Sequence, residues 1–144
     1  MRTDLERFFN PGAIAIIGAS QDLNTISGWP LMVLRSCDAP MIADVPEIPD
    51  LVLILVNAAR VADMLRQCGG KGVPYVIIFT SGFSEMGGEG VRLQRQLAEI
   101  ARRYGIGVIG PNCQGMMNIA DGVYAGFGSV FFTDYESGCV SMVS

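Results

Sequence analysis

Ala13-Ile14-Ala15-Ile16-Ile17-Gly18-Ala19-Ser20-Gln21-Asp22-Leu23-Asn24-Thr25-Ile26-Ser27-Gly28 is the stretch on which the reading of this chain turns. An apolar run stops at Gly18 and opens into a small, polar turn. A short apolar run bounded by turn residues suits a strand buried on both faces, as in a parallel sheet. Ser27 as N-cap and Pro30 inside the first turn then predict a helix from about Gly28 to Arg35, with Leu31, Val33 and Leu34 on its inner face. A strand feeding a glycine turn and then a helix aims backbone N–H groups and the positive helix end at one point. That point suits a phosphate.

The turn alone does not say which phosphate. The dinucleotide fingerprint Gly-x-Gly-x-x-Gly is not met, because after Gly18 its next glycine positions hold Ser20 and Leu23. The Ser20 hydroxyl can still donate to a phosphate oxygen, and Gln21 and Asn24 add side-chain amides. A nucleotide-type phosphate site and a tight structural turn stay equally open at this point.

Composition narrows the classes. The 144 residues read as one domain with room for a real core, half of them hydrophobic and 17% charged, which argues against disorder. A net charge of −4 and a pI near 4.6 argue against nucleic acid or an anionic membrane as partner, since both want a basic face. No apolar run approaches the length of a membrane span, and the opening Met1-Arg2-Thr3-Asp4 does not read as a signal peptide, so a cytoplasmic protein is expected. The four cysteines, at 37, 68, 113 and 139, lack Cys-x-x-Cys spacing, and no histidine is present to complete a metal site. Reduced thiols and no metal are expected. The missing histidine also removes the commonest general base.

Outward from the first strand, elements alternate. Thr3 to Phe9 reads as a short helix with Leu5, Phe8 and Phe9 inward, stopped by Asn10-Pro11-Gly12. Ser36 to Asp50 holds Pro40, Pro46 and Pro49 and no convincing strand, where a doubly wound domain would place its second one. Leu51 to Val56 is the clearest buried strand. Asn57 can cap the next helix, whose apolar face is Val61, Met64, Leu65 and Cys68, and Gly69-Gly70 would end it. Val73 to Phe79 is another strand, closing at Thr80-Ser81-Gly82-Phe83. A long helix follows the glycines at 87, 88 and 90 and runs to about Tyr104, with Leu93, Leu97, Ile100 and Ala101 inward. Gly105 ends it, and Ile106 to Ile109 leads into Gly110-Pro111-Asn112-Cys113-Gln114-Gly115. Met116 to Ser137 reads as an extended covering segment, before a last apolar run at Cys139 to Val143.

This pattern predicts an α/β, Rossmann-like fold with a mostly parallel sheet and flanking helices. Four loops of small residues, 18–24, 57–59, 80–83 and 110–115, then fall at strand carboxyl ends, where open α/β sheets bind ligands.

Several pieces together resemble the CoA-binding domain of NDP-forming acyl-CoA synthetases, which also begins the succinyl-CoA synthetase α subunit. They are Phe9-Asn10-Pro11-x-x-Ile14-Ala15-x-Ile17-Gly18-Ala19-Ser20, Pro49-Asp50-Leu51, Ser81-Gly82-Phe83-x-Glu85, Ala101-Arg102-x-Tyr104-Gly105-Ile106 and Gly110-Pro111-Asn112-Cys113-x-Gly115. Gly138 to Ser144 resembles the strand that begins the family's next, ligase-type domain, so 1–137 is read as the CoA-binding domain and 138–144 as the start of another. The resemblance implies coenzyme A in the crevice. Its phosphates map to Gly18, Ser20, Gln21, Asp22 and Leu23, and its further contacts to Val56, Asn57, Ala58, Thr80, Ser81 and Gly82. Asn112 and Cys113 map to where the thiol approaches the reacting centre. The family joins a carboxylic acid to CoA through an acyl phosphate and a phosphohistidine, using ATP or GTP with magnesium in the complete enzyme. The phosphohistidine lies in a later domain, so further ligase and ATP-grasp domains or subunits are the implied partners, and an oligomer stays open.

One departure stands out. The family's second strand, with a basic residue for the nucleotide end of CoA, is missing around 36–50. Either the segment is shortened, or a mobile stretch between Pro40 and Met41 is missing and the numbering closes over it.

Each expected site residue also has a plainer explanation. Gly18 suits any tight turn, Asp22 suits a solvated one, and Asn57 suits a helix cap. Thr80 and Ser81 could satisfy loop backbone, although Gly82 beside them admits close ligand approach. Cys113 reads as a lining residue rather than a nucleophile, because nothing near it in sequence depresses its pKa. Glu85 reads as ordering its loop, and the arginines at 92, 95, 102 and 103 as a solvated face. Phe127, Phe131 and Phe132 are candidates for an interdomain contact. Two other functions compete: a stand-alone, non-catalytic CoA-binding module, and an NAD(P)-binding oxidoreductase domain, which the absent fingerprint, the lack of histidine and the single lysine weaken.

Overall fold

The computed structural model describes residues 5–20, 22, 24, 28–30, 47–133 and 135–138. Strands β1 (Ile14–Ile17), β2 (Leu51–Ile54), β3 (Tyr75–Ile78) and β4 (Gly107–Ile109) form one parallel sheet in that order. Successive residues of a strand face opposite sides of the sheet, and here both sides are covered. Ala15, Val52, Ile54, Val76 and Ile78 share one apolar cluster with Val61, Leu65 and Cys68 of α2 (Ala58–Lys71) and Leu97 and Ile100 of α3 (Gly88–Tyr104). Ile14, Leu51, Leu53, Tyr75 and Ile77 pack on the other side with Phe8 of α1 (Leu5–Phe9). Met116 and Ala125 belong to that second cluster too. They come from an antiparallel hairpin, β5 (Gly115–Asn118) and β6 (Val123–Gly126). Two covered faces are why β2 and β3 read as unbroken apolar runs. The α/β, Rossmann-like expectation holds.

The differences lie in the boundaries. β2 stops at Ile54 rather than Val56, leaving Leu55 and Val56 to the loop. Helix α2 continues through Gly69 and Gly70 to Lys71, and the left-handed residue that ends it is Gly72, at φ 84°. There the N–H of Gly72 donates to Gly69 O and that of Val73 to Cys68 O, which satisfies the last carbonyls. Within the helix, position 69 calls for glycine because Tyr104 of α3 occupies the place of a Cβ.

Leu5 and Phe9, expected inward, are 54% and 41% exposed. A five-residue helix has only one inner position here, and Phe8 fills it, its ring 5.3 Å from that of Tyr75. Ala101 is half-buried, and Met64 and Leu93 lie at the margin of the core. The covering segment proves to be the β5–β6 hairpin followed by a 3-10 turn, Ser129–Phe132. Of its three phenylalanines Phe131 is buried and Phe127 meets Phe79 edge-on at 5.2 Å, so only Phe132 is exposed. Trp29 and Pro30 are helical, and the rest of the helix expected from Gly28 to Arg35 lies outside the described residues. So do Cys37, the junction of Pro40 and Met41, most of the segment 36–50, Cys139 and the last apolar run.

Candidate functional site

All four strands point one way, so the loops that follow them emerge at the same end of the sheet. Close packing and hydrogen bonds join these loops in strand order. Gly18 has φ 85°, and a Cβ there would stand 2.8 Å from Val56 Cγ1 and 3.1 Å from the Val56 nitrogen. Only glycine lets the first turn lie against the loop after β2 in this way. The Thr80 hydroxyl donates to Val56 O at 2.5 Å, and the Asn112 N–H donates to Thr80 O at 3.0 Å. Cys113 Sγ lies 3.5 Å from Ile78 O. Gly82 completes the rim. Its φ of 104° brings the chain so near α2 that a Cβ would be 3.2 Å from Ala58 Cβ.

The donors at this rim are unevenly committed. Ser20 Oγ accepts the Asp22 N–H at 3.1 Å, an arrangement that leaves the hydroxyl hydrogen available to a ligand. Asp22 Oδ1 accepts from the Asn24 backbone and from Asn24 Nδ2 at 3.0 and 3.1 Å, so this carboxylate shapes the turn. Gln21 and Leu23 lie outside the described residues. Asn57 occupies the N-cap position of α2 but makes no side-chain cap hydrogen bond, so the capping expectation holds for its place and not for its bond. The first turn of α2 carries no acidic residue to neutralise the positive helix end. Ser81 is exposed and has no hydrogen-bond partner among the described residues.

Burial raises the Cys113 thiol above its ordinary pKa, and hydrogen bonds from the Gly115 and Cys113 backbone only partly oppose this. The side chain stays a neutral thiol near pH 7, and nothing among the described residues around it activates it as a nucleophile. Glu85 is displaced the other way: the Gly82 N–H, donating to its Oε1 at 2.6 Å, lowers its pKa. Its expected part in ordering the loop is thereby visible. The arginines at 92, 95, 102 and 103 are exposed, and Arg92 pairs with Glu89.

Three features escaped the sequence. Val56 O anchors Thr80 across the sheet, Gln94 Oε1 of α3 accepts the Ser84 N–H at 3.1 Å, and Gly90 lies where a Cβ would overlap Phe83 O. A glycine inside an otherwise regular helical pattern was the one available signal, for Gly90. A separate apolar cavity of about 150 Å³ lies between β1, β2 and the end of α2, lined by Ala15, Ile17, Val52, Cys68 and Val73 among others. None of the expected site residues lines it. No group of three or more potential metal ligands exists among the described residues.

Against known proteins, the model of the CoA binding domain matches residues 32–119. The chain belongs to that family. This CoA-binding domain is 36% identical over 159 aligned positions to acetate–CoA ligase [ADP-forming] II subunit alpha of Pyrococcus furiosus, covering 97% of itself and 34% of the relative. To acetate–CoA ligase [ADP-forming] of Methanocaldococcus jannaschii it is 42% identical, covering 98% of itself and 22% of that protein. Its structure resembles the apo form of a dinucleotide forming acetyl-coenzyme A synthetase 1 from Ca. Korarchaeum cryptofilum. The TM-score is 0.79 at 33% identity, over 87% of this chain and 31% of the other. The CoA-binding domain is thus homologous to NDP-forming acyl-CoA synthetases, and it spans about a third or less of the length of these ligases. No helix among the described residues is long and apolar enough to cross a membrane.

Proposed function

We propose that this domain holds CoA across the four joined loops and presents its thiol to an acyl phosphate formed with the help of further ligase and ATP-grasp domains or subunits. The observation that carries the reading is the unbroken rim from Gly18 through Val56 and Thr80 to Asn112, at the carboxyl end of a parallel sheet. In this reading the phosphates lie at the first turn, on backbone N–H groups and on Ser20, with Gln21, Asp22 and Leu23 beside it. The open start of α2 at Asn57 and Ala58 adds positive potential. The pantetheine arm crosses Val56, Thr80, Ser81 and Gly82 toward Asn112 and Cys113. The chain's contribution to the ligation is positional: it converts a two-body encounter between thiol and acyl phosphate into a local one. ATP or GTP, magnesium and the phosphohistidine belong to the complete cytoplasmic enzyme, with residues 138–144 entering its next domain.

The reading includes a shortened wall at the nucleotide end. The alignment to the Methanocaldococcus relative occupies 159 positions while covering 98% of these 144 residues, so that protein carries residues this chain lacks. A deletion near 36–50, where the sequence lacks a strand, would remove one support of the adenosine, whereas a stretch missing between Pro40 and Met41 would leave that support in the intact protein.

Calorimetric titration with CoA and, separately, with NAD tests the function. Saturable CoA binding, weakened about ten- to hundredfold by Ser20→Ala as expected for one lost hydrogen bond to a charged group, with no binding of NAD, supports it. Binding of NAD alone refutes it.

A further inference from the structure

The loop after β3 is tethered from several sides, and one tether is a charged side chain that the CoA reading leaves without a role. Phe83 is fully buried, and the start of α3 is pressed against its carbonyl at Gly90. Gln94 Oε1 takes the Ser84 N–H at 3.1 Å. On the other side Thr80 is bonded to both Val56 and Asn112. Between these anchors lies the Ser81–Gly82 peptide, and Gly82, at φ 104°, is a residue with many accessible conformations to lose. Among the described residues one bond restrains it: the Gly82 N–H donates to Glu85 Oε1 at 2.6 Å. An ionised acceptor makes such a bond stronger than a neutral one, and the lowered pKa of Glu85 is consistent with it.

The tether leaves Ser81 as the free residue of the loop, exposed, with its N–H and hydroxyl without partners among the described residues. Electrostatics then chooses what part of a ligand it meets. The loop follows β3, two strands from the turn after β1, which is about 10 Å at normal strand spacing. An exposed carboxylate beside the loop disfavours phosphate there and tolerates a neutral amide. The arm of CoA that carries amides and no charge is the pantetheine.

We propose that Glu85 is a positioning residue for the pantetheine arm: its carboxylate holds the Gly82 peptide so that Ser81 presents its N–H and hydroxyl to the arm. This rests on the CoA reading above. Glu85 itself does not touch the ligand.

The test titrates the wild-type chain, Glu85→Ala and Glu85→Gln with CoA and with adenosine 3′,5′-bisphosphate, which retains the nucleotide end and lacks pantetheine. Glu85→Ala weakens CoA about tenfold. Glu85→Gln keeps an oxygen acceptor and recovers most of that loss, and the nucleotide fragment binds all three proteins alike. Hydrogen exchange at the Gly82 amide accelerates in Glu85→Ala and stays slow in Glu85→Gln. Equal CoA affinity in all three proteins overturns the proposal. An equal loss for the fragment and for CoA also overturns it, since that pattern means general damage. If the wild-type chain is folded and binds no CoA, the CoA reading fails and the proposal falls with it, an outcome distinct from a wild type that binds and variants that do not differ.

Discussion

Gly69 and Gly70 are neighbours in α2, yet alanine should act on them with opposite signs. Replacing glycine by alanine inside a helix removes backbone freedom from the unfolded chain and gains about 0.5–1 kcal/mol. At Gly70 nothing lies within 4 Å of the new methyl, so Gly70→Ala takes the whole gain. That raises the melting temperature by about 2–4 °C for a chain of this size. At Gly69 the methyl would lie 2.8 Å from Tyr104 Cβ and closer still to its ring. Because the clash reaches the root of the side chain, rotating the ring does not relieve it, and α2 and α3 must separate. Overpacking of this kind costs about 1–3 kcal/mol, which cancels or exceeds the helix gain. The assay is urea denaturation of the two variants, of Tyr104→Ala and of Gly69→Ala combined with Tyr104→Ala. In the combined protein the methyl has room, so the pair should couple by about 1–3 kcal/mol. Equal stabilisation by both alanines, with no coupling to Tyr104, refutes the packing of α2 on α3. That packing also sets where the Asn57–Ala58 end of α2 meets the rim.

Two further outcomes follow from single groups. Burial pushes the Cys68 thiol up to about 11 from 9.0, so the folded chain keeps a proton that the unfolded chain releases. Stability is therefore intact below pH 9 and declines as pH rises from 9 toward 11, by at most about 1.4 kcal/mol per pH unit. Thermal melts of Cys68→Ala should show a shallower alkaline decline than wild type, and parallel curves would contradict the assignment. Asp50 accepts from Arg7 Nε at 2.7 Å and from the Gly12 N–H at 2.9 Å, and its side chain is only 17% exposed. Asp50→Ala should cost about 1–2 kcal/mol in urea denaturation by leaving both donors unmatched, and a cost near zero would mean that water replaces the carboxylate freely.

Much of the candidate site was legible before the structure because strand-end loops carry local signals. Gly18, Gly82 and the Gly110–Gly115 segment announce turns by residue type alone. The hairpin was not legible. Gly-Met-Met-Asn and Val-Tyr-Ala-Gly have weak alternation, and their pairing is fixed by what covers the sheet face of Leu51, Leu53 and Ile77. The end of α2 was misplaced for a related reason. Gly69-Gly70 looks like a stop, but the helix continues to Lys71, with Gly69 packed against Tyr104 and Gly70 facing solvent, so the first glycine serves packing and not termination. Burial in α1 failed similarly, since periodicity cannot say which of Leu5, Phe8 and Phe9 the sheet has room for.

By itself the sequence determined that this is an α/β chain with a parallel sheet, that loops of small residues follow its strands, and that its motifs are those of a CoA-binding domain. Those properties reside in runs, turns and spacings, which act within a few residues of themselves. Only the tertiary structure decided that the loops form one rim, that Thr80 is held by Val56 and Asn112, and that Gly90 of α3 lies against Phe83 O. Such contacts join residues from different strands and helices. Their partners are chosen by the packing of the whole sheet, which no local pattern encodes.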